Sequence, residues 1–96
     1  MKLTGLKVLD LSAFLPGPHM TMMMADHGAD VIMVEPANGA GEPTRSVGYR
    51  TDDGVSVWFR NIARGKRSLK INLKDPQARD LFYALAKEAD VIVEAF

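Results

Sequence analysis

The sequence of 96 residues contains no cysteine, which excludes a disulfide framework, a thiol nucleophile and a zinc–thiolate site. It has no excess of charge, because twelve basic residues balance twelve acidic ones. Bulk charge therefore predicts neither nucleic acid nor a membrane surface as a partner. No apolar run approaches the roughly 18 residues of a membrane-spanning helix, and the start of the chain lacks the apolar region of a signal peptide. These absences predict a soluble, cytoplasmic protein.

The composition and the last strand-like segment predict part of a larger α/β protein. A hydrophobic fraction of 47% with 25% charged residues is typical of a globular chain, and the length allows one domain at most. The last seven residues, 90–96, have the pattern of a strand that is apolar on both faces. Such strands belong to parallel sheets, which need a crossover after each strand. We therefore expect 1–96 to be the truncated N-terminal part of a larger domain.

The first half of the chain predicts a β-α-β unit. A short apolar strand is predicted over 8–12, and a turn containing two prolines follows. Pro18 suits the first position of a helix over 18–27, and Gly28 suits its C-terminal cap. A second buried strand is predicted over 29–35. The connection between the two strands is expected to be a right-handed parallel crossover.

The second half predicts two further strands and two helices. A short helix is predicted over 55–62, and the alternating segment 68–73 predicts a third strand near the sheet edge. Asp75 and Pro76 form a typical N-cap and first helical residue, and helical apolar spacing follows them. The fourth strand is predicted over 91–94. The fold class is therefore α/β with a parallel sheet.

The turn between the first strand and the first helix is a candidate ligand site. Ligands of open α/β sheets bind at the carboxyl ends of the strands, and a helix N-terminus there favours phosphate. Glu35 lies 18 residues beyond Gly17, where dinucleotide folds carry an acidic residue that binds ribose. However, the G-x-G-x-x-G motif is absent, and prolines remove N–H donors from the turn. Two interpretations stay open: another ligand at this turn, or a Gly17 that only shapes it.

A cluster of cations is a second candidate site. Arg60, Arg64, Lys66 and Arg67 lie within eight residues, and no acidic residue interrupts them. Such a cluster can grip phosphates through charge-assisted hydrogen bonds. The alternative is a solvated basic loop that nearby acidic residues balance.

The remaining polar and aromatic residues of interest favour structural roles. His19 and His27 lack the spacing of a metal-binding pair, so no metal is predicted. Asp10 is expected to be hydrogen-bonded at the end of its strand, with a catalytic role as the alternative. Trp58 and Phe59 are expected to pack inside the protein, with stacking on a ligand as the alternative.

Several ordered blocks of the sequence resemble the N-terminal part of the family III CoA-transferases, the CaiB–BaiF family. The resemblance extends over essentially all 96 residues. It implies a Rossmann-like parallel sheet that forms part of a larger CoA-transferase fold. The blocks are 6–12 (LKVLDLS), 16–18 (PGP), 25–36 (ADHGADVIMVEP), 64–69 (RGKRSL), 73–74 (LK) and 89–94 (ADVIVE).

The resemblance also implies which residues contact the nucleotide end of coenzyme A. The basic pair Lys66 and Arg67 is expected to assist, because it directly precedes one of the matching groups. Some members have Arg at the position of Pro36 and many have Asn at the position of Ala95, so those polar contacts cannot form here. The contacts implied by position are Leu15, Pro16, Pro36, Ile71, Asn72, Leu73, Lys74, Ala95 and Phe96.

By resemblance, the reaction moves CoA between an acyl-CoA and a carboxylic acid. The family nucleophile is an aspartate that forms a mixed anhydride and then an aspartyl-CoA thioester. That aspartate lies beyond residue 96, so no catalytic residue is expected in this segment, and the isolated segment is expected to be inactive. Coenzyme A and acyl-CoA are expected as substrates, with no permanently bound cofactor. An interlocked homodimer is expected for the full-length protein.

Two alternatives remain open from the sequence. One is an α-methylacyl-CoA racemase, which uses a His and an Asp that also lie downstream. The other is a non-catalytic nucleotide-binding module. The long segment between Glu35 and Gly65, which contains 49–61, resembles the transferases more than the racemases.

Overall fold

The chain folds into a parallel four-stranded sheet with helices along its connections, as seen in a computed structural model that describes residues 1–39 and 41–96. In the described residues the strand order is 3-2-1-4, which is the order of a Rossmann-like half-sheet. The predicted parallel α/β architecture is confirmed. The elements are β1 (Lys7–Asp10), α1 (Gly17–Asp26), β2 (Asp30–Pro36), a 3₁₀ helix (Pro43–Ser46), α2 (Val57–Ile62), β3 (Lys66–Ile71), α3 (Pro76–Glu88) and β4 (Val91–Val93).

The two central strands, β1 and β2, carry the core. Val8 and Val31 are opposite each other in register, and both are buried together with Ala29. The β1–α1–β2 unit agrees with the prediction to within a few residues. Gly28 ends α1 with a φ of +100°, in the left-handed region that glycine adopts without strain.

The outer strands are less covered than the central ones. β3 lies at one edge of the sheet, as predicted, and β4 lies at the other edge within the described residues. The sequence pattern predicted that β4 is buried on both faces. Within the described residues β4 pairs only with β1 and Ile92 is 49% exposed, so the burial of β4 in a larger domain stays a prediction. No residue of α3 is fully buried either.

The start of α3 is capped as the sequence predicts. The Asp75 carboxylate accepts a hydrogen bond of 3.0 Å from the backbone N–H of Gln77, and Pro76 occupies the first turn. The cap satisfies one N–H that the helix itself leaves without a partner.

Replacing Asp75 with alanine should therefore lower the local stability of α3 by about 1 kcal/mol. Hydrogen exchange of peptides from α3 in the full-length protein measures this loss. Asp80→Ala is the matched control, since Asp80 is an exposed aspartate in the same helix. Equal protection in the wild-type and Asp75→Ala proteins would contradict the capping role.

No helix within 1–39 and 41–96 has the length and apolar character needed to cross a membrane.

Candidate functional site

A pocket of about 450 Å³ opens at the carboxyl ends of the strands. All four strands are parallel, so their carboxyl ends meet at one edge of the sheet. The pocket is lined by residues 11–13 after β1, the end of β2 with the segment that follows it, the last residue of β3 with residues 72–74, and Phe96. This is where an open α/β sheet binds its ligand.

The pocket brings together more than half of the residues that the family resemblance implies. Leu15, Pro16 and Ala95 belong to the adjoining segments but are not part of the lining. Lys66 and Arg67 are not part of the lining either, and each forms an ion pair with an aspartate. The predicted residues that line the pocket are Pro36, Ile71, Asn72, Leu73, Lys74 and Phe96.

Lys66 is placed inside the protein and not at the pocket surface. Its ammonium group donates to Asp10 Oδ2 at 3.2 Å and to the carbonyl oxygen of Pro18 at 3.0 Å. The side chains of Lys66 and Asp10 are 0% and 1% exposed. Burial lowers the pKa of the Lys66 ammonium, and the neighbouring Asp10 carboxylate opposes this. Lys66 is therefore not positioned to touch a phosphate in this structure. The hydrogen bonds expected of Asp10 at the end of its strand are present.

The other cations of the basic cluster also have acidic partners. Arg67 forms a forked pair with Asp30, at 2.7 Å between the closest nitrogen and oxygen. These ion pairs are exposed, and the structure matches the interpretation of a basic loop balanced by acidic residues. The three exposed pairs are Arg60 with Asp53, Arg64 with Asp26, and Arg67 with Asp30.

Glu35, at the end of β2, is fully engaged by protein groups. Arg45 donates to its two oxygens at 2.7 and 2.8 Å, the backbone N–H of Glu42 donates at 2.8 Å, and the Ser68 hydroxyl also donates. Burial by itself raises the pKa of the Glu35 carboxyl, but the hydrogen bonds, led by those from Arg45, outweigh burial and lower the pKa from 4.5 to about 2. A carboxylate with these partners has no free position for a ribose hydroxyl.

Glu42 connects two loops that both contribute residues to the pocket lining. One of its oxygens accepts the backbone N–H of Phe14 at 3.0 Å, and the other accepts the N–H of Thr44 at 2.9 Å and the Thr44 hydroxyl. Phe14 has a φ of +61°, which is uncommon for a residue with a side chain. Sequence reasoning missed Glu42 and Arg45, since the turn-rich segment around them has no periodicity.

Gly17 is required by the close approach of the first turn of α1 to the side chain of Ser12. A Cβ atom at this position would collide with the side chain of Ser12. The first turn of α1 can therefore pass directly beside Ser12, which lines the pocket, only because residue 17 has no side chain. This explains the glycine between the two prolines of the turn.

The lining suits a ligand that is part apolar and part anionic. Among the described residues of the lining, Lys74 is the only lysine or arginine, and it is exposed. Ile71 and Leu73 precede it and contribute apolar surface. Both lining carboxylates, Glu35 and Glu42, are already hydrogen-bonded by the protein. In 1–39 and 41–96, no group of three or more His, Cys, Asp or Glu is arranged to hold a metal ion.

Comparison with known proteins assigns the chain to a family. A family model described as CoA-transferase family III matches residues 3–96. The chain belongs to CoA-transferase family III. This family III chain is 42% identical over 98 residues to succinyl-CoA:mesaconate CoA-transferase of Haloarcula marismortui, covering 98% of the chain and 24% of that protein. It is also 42% identical over 94 residues to succinyl-CoA:glutarate CoA-transferase of Mus musculus, covering 98% of the chain and 21% of that protein.

Solved structures agree with this family assignment. A CAIB/BAIF family protein from Brucella suis superimposes with a TM-score of 0.87 at 38% identity, covering 98% of the family III chain and 25% of that protein. A hypothetical protein from Mycobacterium tuberculosis has a TM-score of 0.84 at 34% identity, covering 97% of the chain and 25% of that protein. The chain thus spans about a quarter of the length of these relatives.

Proposed function

We propose that this chain forms the nucleotide-binding part of a CoA-transferase that moves CoA from an acyl-CoA to a carboxylic acid. The observation that carries the proposal is the pocket at the carboxyl edge of the sheet. Six of the residues that the family resemblance implies for coenzyme A line this pocket, although they come from the ends of three different strands and the segments that follow them. The named relatives are CoA-transferases, which favours transfer over racemisation and over a non-catalytic module.

In this proposal each part of the pocket has a distinct task. Lys74 binds a phosphate of the nucleotide, since it is the exposed cation of the lining. Ile71, Leu73 and Phe96 supply apolar surface for the adenine base. Pro36 has no N–H to donate and contributes a van der Waals contact. Leu15 and Pro16 lie just beyond the lining residues 11–13, in the loop held by Glu42, and would contact a part of coenzyme A that extends past the pocket.

We propose that this segment binds coenzyme A and that the reacting groups lie elsewhere in the full-length protein. Glu35 is a poor nucleophile, since its pKa is about 2 and its oxygens accept hydrogen bonds from Arg45. The nucleophilic aspartate implied by the resemblance would be supplied by the polypeptide after residue 96. We further propose that the full-length protein is a cytoplasmic homodimer. Succinyl-CoA is the first acyl donor to test, because the names of both relatives include it.

The proposal predicts a specific role for Lys74. Replacing Lys74 with methionine should weaken the binding of CoA by about 1–3 kcal/mol, because a charge-assisted hydrogen bond is lost while the aliphatic stem is retained. Isothermal titration of CoA into the full-length protein measures this change. Lys87→Met is the matched control, since Lys87 is an exposed lysine in the last turn of α3 and is not part of the lining.

The control should bind CoA as the wild type does. If Lys74→Met binds CoA with unchanged affinity at low ionic strength, Lys74 does not bind a phosphate. If the wild-type protein binds no CoA at all, the proposed function itself is wrong.

A further inference from the structure

The buried ammonium group of Lys66 joins three separate segments of the fold. Lys66 begins β3 and pairs in register with Val31 of β2, which in turn pairs with Val8 of β1. Asp10 is the last residue of β1, so the lysine side chain reaches from the start of one edge strand to the end of a central strand. There the ammonium donates to the Asp10 carboxylate and to the Pro18 carbonyl oxygen, in the first turn of α1.

Asp10 extends this connection to the turn between β1 and α1. Asp10 Oδ1 accepts the backbone N–H of Ser12 at 2.9 Å and also its hydroxyl group. Asp10 Oδ2 accepts the hydroxyl of Thr21, on α1, at 2.5 Å. Among the described residues, no buried side-chain nitrogen or oxygen lacks a hydrogen-bond partner. The group of Asp10, Ser12, Thr21 and Lys66, here called the Asp10 network, is thus complete without a ligand.

Stability alone does not account for a buried ion pair at this point. Desolvation of the two charges offsets most of their attraction, and a well-packed apolar pair of the same volume is often equally stable. What a fully satisfied buried network does provide is a defined geometry, because moving any one of the joined segments would break hydrogen bonds at the shared Asp10 carboxylate. The segment fixed here is the turn at 11–17, and its first residues, Leu11, Ser12 and Ala13, line the pocket.

We infer that Lys66 and Asp10 are positioning residues for coenzyme A, which hold the turn at 11–17 in its binding shape without touching the ligand. The inference rests on the proposed function and deepens it. It assigns the two lysines of the sequence-predicted site to different tasks, with Lys74 at the phosphate and Lys66 beneath the turn. Affinity for CoA should then depend on whether the charge of Asp10 is compensated, and not on the presence of a cation at residue 66.

The dependence of CoA affinity on the charge balance between Asp10 and Lys66 can be measured in the full-length protein with three variants. Lys66→Met keeps the aliphatic stem but leaves the Asp10 carboxylate buried without a counter-charge. The double variant Asp10→Asn with Lys66→Met removes both charges, and the amide of residue 10 can still accept from Ser12 N–H. Lys74→Met serves as the comparison for loss of a phosphate contact. CoA affinity is measured by isothermal titration at several salt concentrations, below the melting temperature of each variant.

The expected result is a loss of at least tenfold in CoA affinity for Lys66→Met and a return to within about threefold of the wild type for the double variant. The dependence of affinity on salt should match the wild type in both proteins, because no cation near a phosphate has been removed. Lys74→Met should instead show a weaker salt dependence. If Lys66→Met does not fold, the double variant alone decides, and near-wild-type affinity in it supports the inference.

Three outcomes would overturn the inference. A folded double variant that binds CoA as weakly as Lys66→Met would show that the cation itself is needed. A weakened salt dependence in either variant would indicate that Lys66 contacts a phosphate. Full affinity in Lys66→Met would show that the turn does not depend on the Asp10 network. In each case the wild type still binds CoA, so these outcomes are distinct from a failure of the proposed function, in which the wild type does not bind.

Discussion

Replacing Glu35 with alanine should lower the free energy of local opening around the pocket by about 3 kcal/mol. The substitution leaves the Arg45 guanidinium, whose side chain is only 30% exposed, without its carboxylate partner. It also removes the acceptor of the Glu42 N–H and of the Ser68 hydroxyl. Arg45 keeps its contact with the Phe59 ring, at 4.1 Å from the ring centroid, but this contact does not replace an ion pair.

Hydrogen exchange of the full-length protein measures this effect locally. Peptides from β2 and from 41–47 should lose protection in Glu35→Ala, whereas peptides from α3 should exchange as in the wild type. Glu88→Ala is the matched control, since Glu88 is an exposed glutamate at the end of α3. A loss below about 1 kcal/mol in the β2 peptides would show that the pair with Arg45 contributes no more than a surface ion pair.

Acid should remove the stabilising contribution of the same carboxylate. The folded-state pKa of Glu35, about 2, lies below its ordinary value of 4.5, so its ionised form is favoured by folding. The contribution is complete above about pH 4.5 and is lost progressively as the pH falls to about 2. A change in pKa of this size corresponds to at most about 3 kcal/mol of stability.

Urea unfolding of the wild-type and Glu35→Gln proteins between pH 5 and pH 2 tests this pH dependence. The glutamine variant cannot titrate at residue 35, so the stability advantage of the wild type should shrink by about 3 kcal/mol across this range. The other carboxylates titrate in both proteins, so their contributions cancel in the difference. One of them is Asp53, whose pKa is lowered to about 2 chiefly by the Thr51 hydroxyl. An advantage that stays constant down to pH 2 would contradict the low pKa of Glu35.

The parallel sheet and the position of the pocket could be predicted from local sequence features. The buried strands have continuous apolar runs, Gly28 marks the end of the first helix, and the Asp75–Pro76 pair marks the start of the last one. Parallel strands bring their carboxyl ends together, so the sheet edge that holds the pocket follows from the order of strands and helices. The individual residues after β2, β3 and β4 were implied only by the family resemblance, since strand order alone does not select them.

The burial of Lys66 could not be predicted, because its partner Asp10 lies 56 residues earlier in the chain. In the sequence Lys66 is one of four cations within eight residues, and only the tertiary fold distinguishes the buried one from the three exposed ones. Glu42 and Arg45 were missed for a related reason. They act through contacts with Phe14 and Glu35, and no local pattern records contacts between distant segments.

A crystal structure of the full-length protein with bound CoA tests the central claim most directly. The adenosine end of CoA should lie at the carboxyl edge of the sheet, in contact with Pro36, with 71–74 and with Phe96, and a phosphate oxygen should lie within hydrogen-bond distance of Lys74 Nζ. The Lys66 ammonium should remain on Asp10, away from every phosphate. A nucleotide bound outside this pocket, with the residues after β2 and β3 left free, would contradict the account.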